Sequence, residues 1–237
     1  MASNDTGEKT EKATPKKRKD AREKGQVKKS MEVVTSCMLL GLFGILRVAG
    51  PMMINSTKNV MERYLTGSGF VTLDVAGVST LFLDVVITFL LIMAPILGGA
   101  FVIAVIANYV QIGWLFSTKA LQPKFDRMNP LSGFKRMISL QSLYELLKAM
   151  FKLIIVAVIA FVQIKGHMDL IMRSMTMGLT ESIYPTFIAV LDTCFAISGA
   201  LAVFSIVDYV YQWFKYEKDL MMSKYEVKTE FKQMEGD

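Results

Sequence analysis

Histidine occurs once in the 237 residues and cysteine twice, and those scarcities remove whole classes of function before any pattern is sought. Metal centres of the zinc type need clustered histidine, cysteine or carboxylate. His167 has no cysteine or grouped carboxylates near it in sequence, so neither a metal nor any other cofactor is expected. Cys37 and Cys194 fall inside apolar runs near opposite membrane faces, which implies no disulfide framework. There is no phosphate-cradling glycine loop, no His-Glu-x-x-His pair and no Gly-x-Ser-x-Gly elbow, so nothing points to catalysis. No cleavable leader is expected either, because the first 32 residues are strongly polar and no small-residue cleavage site follows the first apolar run.

What is present is apolar surface. Hydrophobic residues make up 52% of the chain and charged residues only 20%, more than a water-soluble core of this size needs. They gather in four runs, Val33–Ile54, Ser79–Val110, Leu153–Ile164 and Tyr184–Phe214. A membrane span takes roughly 20 apolar residues. Three runs reach that length, and the short third is completed by Tyr144–Phe151, whose Lys148 can snorkel to the interface. The fold expected is an all-α membrane protein of four long transmembrane helices arranged as hairpins. A basic tail over residues 1–32 precedes a membrane domain over residues 33–214, and a linker helix begins at residue 215.

The charges order the spans. Lysine and arginine number ten in Met1–Glu32, two in Asn55–Val78, seven in Gln111–Lys152, two in Lys165–Ile183 and five after Phe214. The positive-inside rule puts the three rich segments in the cytoplasm, which gives two cytoplasmic termini and a long cytoplasmic loop between spans two and three.

Within the tail, Thr14 suits a helix cap, Pro15 the first helical position and Gly25 a stop, which predicts a basic helix over Pro15–Lys24. Its cations, Lys16, Lys17, Arg18, Lys19 and Arg22, fit anionic lipid headgroups; so close to a span they fit nucleic acid poorly. Charges inside the runs are costly and call for partners. Arg47 should lie about 10 Å from the outer end of its span and Asp84 about 8 Å, which predicts an Arg47–Asp84 pair, with Asp192 at about 12 Å the rival partner. Asp208 is a further intramembrane charge. The 32-residue second run, with Pro95, Gly98 and Gly99 in its middle, predicts a kink or break there. Small residues at Ala94 and Gly98, and at Ala100 and Ala104, are spaced for close helix contact.

In the central loop, Asn129-Pro130 opens a short helix ending near Ile138, and Ser142 with Glu145 forms a capping box for a helix entering span three. Before them, Lys119–Met128, punctuated by Pro123, is expected to be extended, and the loop presents a basic strip, Lys119, Lys124, Arg127, Lys135 and Arg136, with apolar teeth at Leu121, Phe125, Met128, Leu131 and Phe134. Such a strip can line a partner's surface or lie on lipid, and physical reasoning alone leaves both open. After Phe214, intermixed charge from Lys215 to Met234 predicts one solvated helix.

Three segments go further: EKTEKATPKKRKDAREKGQVKKS at Glu8–Ser30, ALQPKFDRMNPLSGFKRMIS at Ala120–Ser139 and KYEVKTEFKQMEGD at Lys224–Asp237. Together they resemble the FlhB/SctU family of type III secretion export-apparatus proteins, the flagellar branch most of all. The resemblance implies a multi-pass protein of the bacterial inner membrane, part of the machinery for flagellar biosynthesis. It further implies a central loop that clasps the entrance of the export gate built by FliP, FliQ and FliR. Other implied partners are the export receptor FlhA and the exported flagellar subunits. Family members carry a cytoplasmic domain that cleaves itself at Asn-Pro-Thr-His and helps switch substrate specificity. Here Asn129-Pro130 is followed by Leu131-Ser132, so no enzymatic activity is expected of these residues, and the switch domain is expected beyond Asp237. The competing reading is a self-contained ion- or proton-coupled transporter working through Arg47, Asp84, Asp192 and Asp208.

Overall fold

In the computed structural model, which describes residues 8–67, 74–117 and 140–235, the chain forms seven helices and no strand among the described residues. Helix α1 spans Pro15–Glu23, α2 Met31–Leu65, α3 Val75–Ile112, α4 Leu140–Gly166, α5 Met168–Ser174, α6 Leu179–Leu220 and α7 Lys224–Glu235. Helices α2, α3, α4 and α6 are long and apolar enough to cross a membrane, as the four runs require. Leu91, Phe101, Val110, Leu153 and Phe161 all stand exposed on them. Water would oppose that arrangement, whereas hydrocarbon accepts it, because only the backbone polar groups must then be satisfied inside the helix.

Helix α1 has the bounds that its sequence signals. The Thr14 hydroxyl accepts a hydrogen bond from the Lys17 N–H at 3.2 Å, Pro15 occupies the start, and Gly25 turns the chain at a φ of 76° that favours glycine.

Elsewhere the boundaries differ from expectation, each for a physical reason. Helix α2 continues eleven residues past Ile54, because hydropathy marks the end of the apolar run and not of the hydrogen-bonded ladder. The polar extension carries an i,i+4 pair, Lys58–Glu62, at 3.8 Å. Helix α3 runs unbroken through Pro95, where membrane helices tolerate proline if neighbours satisfy the freed carbonyl. Helix α4 is already formed at Leu140, so Ser142 and Glu145 lie within it and do not cap it. The charged C-terminal helix is in fact two, α6 ending at Leu220 and α7 starting at Lys224.

The chain divides into two compact units. One takes the described residues of Met1–Val33, Asn108–Leu146 and Phe204–Asp237, the other those of Val34–Ala107 and Leu147–Val203. In the second unit, glycines set the helix contacts. A side chain at Gly41 would run into Ile103, one at Gly99 into Ile45, and one at Gly50 into the ring of Phe187. The close approach is therefore made at Gly99 and not at its neighbour Gly98, where an added Cβ meets nothing. Gly50→Leu should force the Phe187 ring aside and lower stability by about 1–3 kcal/mol, measured as a fall in the unfolding midpoint in detergent. Gly98→Ala, with open space around it, should leave the midpoint unchanged.

Candidate functional site

The strip singled out for partner contact, Lys119, Leu121, Pro123, Lys124, Phe125, Arg127, Met128, Asn129, Pro130, Leu131, Phe134, Lys135 and Arg136, lies outside the described residues. Its root does not. Ile112 ends α3, Gly113 turns at a φ of 71°, and the chain is described as far as Ser117. That root belongs to the first unit, where the basic tail meets it and the C-terminal linker meets the tail.

Helix α1 is the centre of this meeting. Arg18 grips Glu217 with two parallel bonds, Nη1 to Oε1 and Nη2 to Oε2, both 2.8 Å, the fork geometry in which guanidinium and carboxylate bind most strongly. Hydrogen bonding to Glu217 raises the Arg18 guanidinium above the ordinary arginine value, so the cation persists at any pH the protein meets. One turn on, Arg22 donates to the carbonyl of Ile112 at 2.9 Å, and the Ser117 hydroxyl donates to the carbonyl of Glu23. Thr14, besides capping α1, donates to Glu230 of α7 at 2.7 Å. Two backbone bonds join Glu11 to Met222, at 3.0 and 2.9 Å. Ala21, Leu220 and Met222 are buried beneath these contacts. Two of the basic-tail residues, Arg18 and Arg22, thus have protein partners.

The elbow between α6 and α7 has its own lock. Ser223 Oγ accepts from the Glu226 N–H and Glu226 Oε2 accepts from the Ser223 N–H, both at 3.2 Å, a reciprocal capping box. Further back on α6, the buried hydroxyl of Ser30 donates to Asp208 at 2.5 Å while accepting the Glu32 and Val33 N–H groups in the first turn of α2, and Gln111 accepts the Ser30 N–H at 2.9 Å. Asp208 therefore anchors the start of α2.

In the second unit the intramembrane charges pair otherwise than expected. Arg47 Nη1 lies 2.8 Å from Asp192 Oδ1, with its guanidinium carbon 5.6 Å from the centroid of Phe195. Asp84 instead accepts the Tyr64 hydroxyl at 2.6 Å and faces Arg63 at 3.2 Å. The length of α2 explains the correction. Residues 47 and 63 are separated by roughly 24 Å along a helix. Asp84 meets the far end of α2, so the Arg47–Asp84 pair is out of reach and the rival, Asp192, holds the arginine.

Some of this geometry was readable in the sequence and some was not. Ser223-x-x-Glu226 is a visible capping signature that a search for one continuous charged helix passes over. Arg18–Glu217 and Ser30–Asp208 join residues 199 and 178 positions apart, and no local pattern announces them.

The profile of the FlhB HrpN YscU SpaS family matches residues 7–237. The chain is 41% identical over 233 residues to the flagellar biosynthetic protein FlhB of Bacillus subtilis, covering 98% of this chain and 64% of that protein. It is 34% identical over 237 residues to the Yop proteins translocation protein U of Yersinia pestis, covering 98% and 65%. To the flagellar biosynthetic protein FlhB of Escherichia coli it is 30% identical, covering 99% and 62%. The chain thus spans a little under two thirds of the length of these relatives.

Proposed function

Because the chain belongs to the FlhB HrpN YscU SpaS family, we propose that it is a membrane component of a flagellar type III protein-export apparatus, without enzymatic activity of its own. The family match over residues 7–237, on a chain with four membrane-competent helices, carries this reading. By the distribution of lysine and arginine, the basic tail, the central loop and the linker face the cytoplasm of a bacterial inner membrane. The apolar and basic strip between Lys119 and Arg136 then clasps the cytoplasmic entrance of the gate formed by FliP, FliQ and FliR and contributes to its opening. The linker leads towards FlhA and towards the domain that switches export between classes of flagellar subunit. The cations of α1 that remain outward, Lys16, Lys17 and Lys19, serve anionic lipid headgroups.

The rival is an autonomous ion- or proton-coupled transporter. Against it stands the engagement of every intramembrane charge named above: Arg47 with Asp192, Asp84 with Tyr64 and Arg63, Asp208 with Ser30. Side chains held by fixed partners in this way are less available to a passing ion. Purified chain in liposomes separates the two. Export predicts no proton or cation flux by this chain alone, together with co-purification of the pore subunits from membranes. Flux that disappears on Asp192→Asn would favour the transporter.

A further inference from the structure

We infer that the segment Glu11–Glu23 is a strap that ties the α6–α7 elbow to the root of the central loop, so that the two loosen together. One set of anchors holds the linker: the Arg18–Glu217 fork at 2.8 Å, Thr14 on Glu230 at 2.7 Å, and the Glu11–Met222 backbone pair at 3.0 and 2.9 Å. The other set holds the loop root: Arg22 on the Ile112 carbonyl at 2.9 Å, and Ser117 on the carbonyl of Glu23. Both sets hang on the same short element.

That sharing is what couples them. Helix α1 has nine residues, and isolated helices shorter than about 12–15 residues are marginal in water. Its run of four consecutive cations, Lys16 to Lys19, disfavours it further through like-charge repulsion. Its caps fix where it starts and stops, and docking keeps it helical, with Ala21 buried and Leu220 and Met222 buried on the elbow. Undocking it on one side therefore tends to melt the helix that presents the anchors of the other side. A force or ligand acting on α7 would reach Gly113 and Ser117 by this route, with no need of contact between linker and loop.

Hydrogen exchange on the purified full chain in nanodiscs tests the strap, and it does so whether or not the protein exports anything. The Met222 amide, bonded to Glu11, reports the elbow; the Gly113 amide, bonded to Tyr109 at 2.7 Å, reports the loop root. Glu230→Ala removes only a linker-side anchor, yet the Gly113 amide should exchange roughly tenfold faster. Ser117→Ala removes only a loop-side anchor, yet the Met222 amide should quicken by a similar factor. Arg18→Glu should accelerate both sites, and Glu217→Arg added to it should bring both back. If each single-sided variant quickens only its own side, the contacts are independent and there is no strap. Exchange at both sites unaltered by Arg18→Glu would equally overturn it.

Discussion

Arg47→Glu should cripple the membrane domain, and Asp192→Arg in the same chain should restore it, whereas Asp84→Arg should not. The wild-type pair sits at 2.8 Å with Phe195 beneath the guanidinium. Reversal sets two carboxylates against one another within the apolar run, where a single unpaired charge costs up to about 3 kcal/mol on insertion scales, the value at a helix centre. The unfolding midpoint and the yield of inserted protein should both fall. The exchanged pair recovers the attraction in mirror order, though not the cation–π contact, so rescue should be substantial and incomplete. Asp84→Arg alone places a cation beside Arg63 and removes the acceptor of Tyr64, so it adds damage at the far end of α2.

Replacing Phe125, Met128, Leu131 and Phe134 together with aspartate should abolish secretion while leaving insertion intact. An interface held by a few apolar anchors loses most of its free energy when they become charged, since hot-spot truncations alone cost 2 kcal/mol or more each. Insertion depends on the four spans and on the flanking cations, which these changes leave in place. Secretion of flagellar subunits, scored beside membrane fractionation of the variant, reads both halves. Normal export by the fourfold variant would mean that the loop is no clasp.

The four spans and α1 were legible because each rests on a local cause: apolar length for the spans, and Thr14, Pro15 and Gly25 for α1. The ion pairs were legible only as a need. Composition shows that Arg47 requires an anion, but choosing between Asp84 and Asp192 requires knowing where α2 ends, and polar residues such as Asn55, Lys58 and Glu62 hide that end from a hydropathy reading. The protein contacts of α1 were illegible for a related reason. Lys16, Lys17, Lys19, Arg18 and Arg22 look alike in a charge count, and only the fold shows that Arg18 and Arg22 face protein.

Helix α3 carries no charged side chain from Val85 to Ile112. Those 28 residues make about 42 Å of rod, against roughly 30 Å of hydrocarbon in an ordinary bilayer. Upright, the helix would push some 12 Å of greasy surface into headgroups and water. Either it leans steeply, or the surrounding leaflets stretch to meet it, or neighbouring proteins cover the surplus. Only the second of these deforms the bilayer; in the other two the surplus length sets how the helix leans or what it packs against, and the mismatch becomes a property the protein brings to any assembly it joins.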